Sequence, residues 1–278
     1  MLTSVGLIAC PDQPGLVHKI TGVLLGHNLN VTENQEFVDH QTKRFFMRTQ
    51  FDGETEMSAL TRDLKKVIPV DSFCQVRPLQ PRKIVAFASS EPHCLGDLLL
   101  KHFTGELAAQ ILAVISQTAD CQHLTEKFGL PFHHVPVQGR SRADHETAVL
   151  QVLQNYSAEY LVLARYMRVL TPEFIQHFPN RIINIHHSFL PAFIGRDPYN
   201  QAYQRGVKII GATAHIVTDL LDEGPIVTQD VVAVDHTSSP EVMAKRGQDV
   251  EKIVLSRGLD LILKDRVLVD GTRTIIFE

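Results

Sequence analysis

The sequence lacks the features that mark several whole classes of protein. Its four cysteines are scattered and form no Cys-x-x-Cys pair, which argues against a disulfide framework or a zinc cluster and favours a reducing, cytoplasmic setting. It contains no run of about 18 to 20 apolar residues, and its first residues lack the basic start of a signal peptide. The net charge of −4 comes from interspersed residues, so we expect neither a membrane partner nor a nucleic acid partner.

Histidine is plentiful, with 14 copies, but its placement does not indicate a metal site. Two adjacent pairs occur, His133–His134 and His186–His187. Because successive side chains of a strand point to opposite faces, neither pair can present both rings to one ion. The sequence therefore predicts no metal.

The first 80 residues form a separate pattern of predicted elements. Strand-like and helix-like hydrophobic patterns alternate in the order βαββαβ, and a short proline-containing linker, Pro78–Arg82, follows. This order, with Asp12, Pro14 and Gly15 at the first strand-to-helix turn, resembles the ACT domain, which has a ferredoxin-like fold. The resemblance implies a regulatory or assembly domain over residues 1–80.

ACT domains typically bind amino acids between paired copies. The resemblance therefore implies an amino-acid effector, such as glycine or methionine, and a homo-oligomer, either a dimer or a tetramer. Asp12, Gly15 and Asn30 are the predicted effector contacts, because a helix N-terminus beyond a glycine favours a carboxylate. The alternative is that this module only mediates assembly.

Residues 83–278 are predicted to form a second domain. Short apolar runs separated by helical patterns are typical of strands in a mostly parallel sheet with helices on both faces. The runs cover residues 83–89, 110–116, 131–135, 160–164 and 181–186. The predicted fold class is therefore α/β and Rossmann-like, and ligands of such sheets bind at the carboxyl ends of the strands.

Three side chains have the chemistry to cleave or form an amide at a one-carbon unit. The amide of Asn184 can hold an oxyanion, the imidazole of His186 can move a proton near neutral pH, and the carboxylate of Asp222 can set its charge or act through water. Asn184 and His186 are two residues apart, so they point to the same face at the carboxyl end of the strand. An isolated Asn-x-His pair at a strand end is usually a hydrogen-bonded polar pair without a catalytic role. The surrounding motif is therefore needed to choose between the two interpretations.

The motif Asn-x-His-x-Ser-x-Leu-Pro begins at Asn184, and His-x-Val-Thr-x-x-x-Asp-x-Gly-Pro begins at His215. Together they resemble the signatures of the 10-formyltetrahydrofolate formyltransferase family. The resemblance implies a pterin slot after the strand 160–164, closed by Ile175 and faced by the loop after His215, with His215 and Asp219 supporting the catalytic groups. The predicted folate-binding residues are Met167, Arg168, Val169, Leu170, Ile175, Val217 and Asp219.

The turn Ser89–Asp97 separates two branches of this family. Members that formylate glycinamide ribonucleotide hold its phosphate on a glycine-rich turn, whereas this turn has no glycine before the predicted helix and contains Glu91 and Pro92. A phosphorylated amine is therefore a poor acceptor. The turn, the ACT-like module and the loop Ser188–Gly195 together resemble the formyltetrahydrofolate deformylases.

That resemblance implies hydrolysis of 10-formyltetrahydrofolate to formate and tetrahydrofolate, which supplies formate for purine biosynthesis and balances one-carbon folate pools. The folate is the substrate, and no cofactor is expected. We expect Asn184 to stabilise the oxyanion and His186 to protonate the leaving N10, while either Asp222 or His186 takes the proton of water. The alternatives are formyl transfer to a non-phosphorylated amine, and a non-catalytic sensor of folate and amino acids.

Overall fold

The structure, a computed structural model, describes residues 2–192 and 198–278 and divides into two compact units. The second part of the Ser188–Gly195 loop lies outside the described residues. The first unit contains the residues up to Gln80 together with Lys264–Asp270 and Ile275–Glu278, and the second contains Pro81–Leu263 and Gly271–Thr274. None of the helices in the described part of the chain is long and apolar enough to cross a bilayer.

The first unit has the predicted βαββαβ order. Its elements are β1 (Thr3–Pro11), α1 (Leu16–Gly26), β2 (Asn30–Asp39), β3 (Arg44–Asp52), α2 (Met57–Val67) and β4 (Phe73–Pro78). The strands pair antiparallel in the order β2-β3-β1-β4. Ile20 and Leu24 of α1, and Leu60 and Leu64 of α2, are spaced about one turn apart and are buried in one core cluster with the strands, which holds both helices against the sheet.

A seven-stranded sheet lies at the centre of the described part of the second unit. Its strands are β5 (Arg82–Ala88), β6 (Ala109–Ser116), β7 (Phe132–His134), β8 (Tyr160–Leu163), β9 (Ile182–His186), β10 (Ile209–Ile216) and β11 (Ile226–Ala233). The helices are α3 (His93–Thr104), α4 (Gln122–Lys127), α5 (Arg142–Leu153), α6 (Pro172–Ile175), α7 (Pro198–Arg205) and α8 (Pro240–Leu263). The central strands are almost continuously apolar and buried, as expected where helices cover both faces of a parallel sheet.

The strand order β11-β10-β9-β8-β5-β6-β7 explains where a site can form. β5 pairs in parallel with β6 on one side and with β8 on the other, so the chain reverses its direction of winding beside β5. Such a reversal opens a crevice at the carboxyl ends of the strands. β9 continues the parallel part, whereas β10 and β11 are antiparallel, which confirms the predicted mostly parallel α/β fold.

The C-terminal residues of the chain pack within the first unit. They include β12 (Val267–Asp270) and part of β13 (Arg273–Ile276), which pair with each other. Leu268 and Phe277 are buried against Leu7, Ala9 and Phe46, on the face of the sheet opposite α1 and α2. This differs from the expected boundary, which assigned every residue from 83 onwards to the second domain. The reason is that β1 and β3 carry apolar side chains on both faces, and both faces need a cover.

Candidate active site

β9 and β10 position three polar side chains of the site. Asn184 and His186 alternate with isoleucines along β9, and both side chains line one cavity. β10 pairs antiparallel with β9, and its residue His215 lies directly opposite Asn184. A carboxamide and two imidazoles therefore meet on one face of the sheet.

The loop after β10 brings a carboxylate to these rings. The amide of Ile216 donates a hydrogen bond of 2.9 Å to the carbonyl oxygen of Pro225, which closes the loop between them. Within this loop Asp222 adopts a φ of 57°, which is uncommon for a residue other than glycine. A Cβ atom at Gly224 would overlap the carbonyl oxygen of Ile216, so the loop closes in this way only with glycine at that position. The carboxylate of Asp222 then lies 3.4 Å from Nδ1 of His186 and 3.7 Å from Nε2 of His215.

His215 fixes the orientation of the Asn184 amide. Burial lowers the pKa of His215, so its ring is neutral near pH 7. Nδ1 lies 3.2 Å from the carbonyl oxygen of Ile216, which can only accept, so Nδ1 carries the proton and Nε2 is an acceptor. Nε2 lies 3.1 Å from Nδ2 of Asn184, which donates to it. The second hydrogen of this NH₂ group remains available to a carbonyl oxygen in the cavity.

His186 lines the same cavity and has one ring nitrogen without a partner among the described residues. The residue is 6% exposed, and burial lowers its pKa, while the neighbouring carboxylate of Asp222 partly offsets this shift. The carboxylate lies next to Nδ1, which favours the tautomer with the proton on that atom. Nε2 then keeps its lone pair, and this buried atom has no hydrogen-bond partner among the described residues. His186 can therefore take a proton from a molecule in the cavity.

The cavity over these groups measures about 290 Å³. Its remaining walls come mainly from the loop after β8 and the loop after β10. The predicted folate-binding residues found among its lining are Met167, Arg168, Val169, Leu170, Val217 and Asp219. Met167 and Val169 expose their apolar side chains, and the main chain of their loop carries amide and carbonyl groups beside them. This combination of an apolar slot and a polar edge suits a flat heterocycle.

Ile175 lies elsewhere. It ends the short helix α6 and is buried in a core cluster with Tyr166, Leu170 and Phe174. It is not among the residues that line the cavity. The apolar side of α6 faces the core beneath the loop, so Ile175 supports the loop from behind instead of closing the slot.

The three predicted effector contacts lie in the first unit. Asp12 and Gly15 lie in the turn between β1 and α1, where Gly15 has a φ of 83° just before the helix. Asn30 is the first residue of β2. All three are exposed, so a ligand can reach each of them.

His186 and His187 do not point to opposite faces as the sequence predicted. Their ring centroids are 5.2 Å apart, because His187 follows the last residue of β9 and no longer obeys the alternation of a strand. Burial, reinforced by Arg165 and His186, lowers the pKa of His187 to about 3. His187 therefore stays neutral at physiological pH and lines the cavity as an uncharged ring.

A buried group of charged side chains lies beside the cavity and was not predicted from the sequence. Arg165 donates two hydrogen bonds to Glu91, at 3.0 and 3.1 Å, and lies 3.4 Å from Glu251. Glu251 also accepts the hydroxyl of Tyr199 at 2.8 Å and bonds His93 at 2.7 Å. These residues come from four separate segments, so no spacing connects them. The one available signal was a glutamate, Glu251, within the apolar face of α8.

His93, Cys94 and Glu251 place potential metal-ligand atoms within 4.8 Å of one another. No spacing in the sequence indicated this group, because it joins the start of α3 to the middle of α8. His93 already bonds Glu251, and the cation of Arg165 lies 3.4 Å from the same carboxylate. A second cation here would meet strong repulsion, so these residues suit an internal ion network better than a metal.

Known proteins match both units. A family model described as formyl transferase matches residues 82–259, and an ACT domain model matches residues 6–69. A formyltetrahydrofolate deformylase from Escherichia coli O6:H1 is 54% identical over 267 residues, which cover 96% of this chain and 95% of that protein. The crystal structure of a formyltetrahydrofolate deformylase from Pseudomonas syringae pv. tomato has a TM-score of 0.95 at 39% identity, over 100% of this chain and 95% of that one. Glycinamide ribonucleotide transformylase 1 from Symbiobacterium toebii has a TM-score of 0.68 at 31% identity, over 71% of this chain and 95% of that one.

Proposed function

We propose that this chain, which belongs to the formyltetrahydrofolate deformylase family, cleaves the formyl group of its substrate with Asn184, His186 and Asp222. The reaction is the hydrolysis of 10-formyltetrahydrofolate to formate and tetrahydrofolate, so the chain is an enzyme that hydrolyses a linear amide C–N bond. This reaction supplies formate for purine biosynthesis and balances one-carbon folate pools.

One observation carries the assignment of the catalytic groups. Nε2 of His186 is buried and has no hydrogen-bond partner among the described residues, and His186 lines the cavity. A buried polar atom without a partner costs free energy, so such atoms are expected where a substrate supplies the missing bond. Asn184 and Asp222 line the same cavity as His186, which supports a site with a donor, a base and an anion around the formyl group.

In the first step, Nε2 of His186 accepts a proton from water as the water oxygen attacks the formyl carbon. We assign this step to His186 and not to Asp222, because Nε2 of His186 has no hydrogen-bond partner among the described residues and so keeps a free lone pair. The carboxylate of Asp222, 3.4 Å from Nδ1, stabilises the imidazolium that forms.

The formyl oxygen gains negative charge in the same step. The free hydrogen of the Asn184 amide donates to this oxyanion, and the loss of one such donor typically costs about 10²–10³ in turnover. The tetrahedral intermediate then collapses as the carbon–N10 bond breaks. Nε2 of His186 returns its proton to N10, which leaves tetrahydrofolate and formic acid, and the acid releases its proton to solvent to give formate.

The pterin ring occupies the slot beside these groups in our proposal. Met167, Val169 and Leu170 contribute apolar surface, and the backbone of the same loop pairs with the polar edge of the ring. Val217 and Asp219 form the facing wall. Because the folate is the substrate, this scheme requires no cofactor.

We assign catalysis to the second unit and regulation to the first. An amino acid such as glycine or methionine is the proposed effector, with Asp12, Gly15 and Asn30 as its contacts, and a homo-oligomer, dimer or tetramer, is expected from the ACT domain. The cytoplasm is the proposed location, without membrane or nucleic acid partners. All four cysteines are free thiols, which suits a reducing compartment.

The direct test is incubation of the purified protein with 10-formyltetrahydrofolate in an amine-free buffer. We expect formate and tetrahydrofolate to accumulate in equal amounts. Formate release that begins only when an amine is present would contradict hydrolysis, and folate binding without any turnover would identify a sensor instead.

A further inference from the structure

A second cavity adjoins the folate cavity. It measures about 220 Å³ and is lined in part by Tyr199, Gln248 and Glu251. Arg165 and His187 line both cavities, so these two side chains form the partition between them. Since His187 stays neutral, Arg165 provides the charge of this partition.

Arg165 is held rigidly in this position. Its side chain is 7% exposed, and its guanidinium group binds Glu91 through two parallel hydrogen bonds and approaches Glu251 to 3.4 Å. The backbone of Arg165 has a φ of 64°, and its carbonyl oxygen accepts a hydrogen bond from the hydroxyl of Ser89. Both the side chain and the main chain are therefore fixed, and the partition does not depend on a mobile arginine.

The second cavity offers surroundings that would suit an amine. Glu91, Glu251 and Gln248 supply acceptor oxygens, which pair with N–H donors. With the guanidinium in place, the two carboxylates of this cavity are already engaged, so an amine finds neither of them free to hold it. Water is small and needs no such anchor, so the loss of this space does not exclude it from the folate cavity.

We infer that Arg165, clamped by Glu91 and Glu251, determines acceptor specificity by closing the side of the folate cavity from which an amine could reach the formyl carbon. The inference rests on the proposed function, since it explains why a site built for formyl chemistry uses water. The related transformylase from Symbiobacterium toebii shares the fold of this unit, so specificity must come from local features of this kind.

The suppressed side reaction is a simple formyl transfer. The nitrogen of a neutral primary amine attacks the formyl carbon, and the carbon–N10 bond breaks. The proton that the amine loses passes to N10, so the products are a formamide and tetrahydrofolate. No redox change and no additional reactant are involved.

The experiment compares the wild type with Arg165→Ala in the presence of 10-formyltetrahydrofolate and glycinamide. Mass spectrometry gives the ratio of N-formylglycinamide to formate at equal tetrahydrofolate release. We expect a low ratio in the wild type and a ratio about tenfold higher or more in the variant, because the barrier is removed and the two carboxylates lose their partner. Arg257→Ala is the matched control, since Arg257 pairs with Asp230 at the surface and is not among the residues that line either cavity, so its loss should leave the ratio at the wild-type value.

An unchanged ratio in an Arg165→Ala protein that still releases tetrahydrofolate would overturn the inference. If that variant fails to fold, Glu91→Ala decides, because it removes the bidentate clamp and should also raise the ratio. Loss of tetrahydrofolate release in both folded variants would also count against it, since a partition is not needed for hydrolysis. Failure of the proposed function is separate: the wild type would then release no formate in amine-free buffer.

Discussion

Replacing Asp222 by asparagine removes the charge next to His186 while keeping the size of the side chain. Two unit charges at the observed 3.4 Å interact by about 5 kcal/mol in the effective dielectric of about 20 that suits protein sites. Each 1.4 kcal/mol or so of lost transition-state stabilisation slows a reaction about tenfold. Because the positive charge on His186 exists only after it takes the proton, this loss falls on the transition state, and we expect kcat to fall by about 10²–10⁴.

Steady-state formate release measures this fall, and fluorescence titration with tetrahydrofolate measures folate binding separately. Binding should remain within a few fold of the wild type, because the pterin slot is formed by other residues. Asp230→Asn is the matched control, since Asp230 lies on β11, outside the cavity, and pairs with Arg257 at the surface. A kcat near the wild-type value in Asp222→Asn would refute the role given to this carboxylate.

Three further predictions concern protonation and the loop. Burial lowers the pKa of His186, so the neutral, active form persists to lower pH than for an ordinary histidine. As the pH falls, kcat/KM should therefore stay constant past pH ~6.5, the pKa of a free histidine, and decrease only in more acid buffer. A decrease of kcat/KM that begins above pH ~6.5 would contradict the assignment. The unfolded ring takes up its proton near pH ~6.5 while the folded ring resists, so thermal stability should decline as the pH falls through this range. Gly224→Ala should reduce the free energy of unfolding by about 1–3 kcal/mol and lower kcat, because the added methyl group shifts Asp222. Gly22→Ala is the control: it lies in α1 with open space around its Cβ position and should not destabilise the protein. Equal melting temperatures for the two variants would argue against the close approach at Gly224.

The alternation of side chains along a strand was enough to predict that Asn184 and His186 share one face, because that rule is local. The same rule gave the wrong expectation for His187, since it fails one residue beyond the strand, where the backbone turns. Ile175 shows a different limit: hydrophobicity predicts that a residue is buried, but the packing of α6 decides which side of the loop it supports. Arg165 and Glu251 were out of reach for a third reason, because they meet only when the loop after β8 and the long helix α8 are folded together.

One backbone oxygen, the carbonyl oxygen of Ile216, connects several residues of the long motif that begins at His215. The carbonyl oxygen of Ile216 accepts the Nδ1 proton of His215, which forces Nε2 of that ring to accept from Asn184 and so aims the amide. The same oxygen leaves no room for a side chain at position 224, so the loop can return to β10 at this point only because residue 224 is glycine. Asp222 lies two residues before that glycine, and its positive φ turns its carboxylate back toward His186. A change at any of these positions would therefore disturb the oxyanion donor and the carboxylate together, which is a physical reason for the spacing of these residues in the motif.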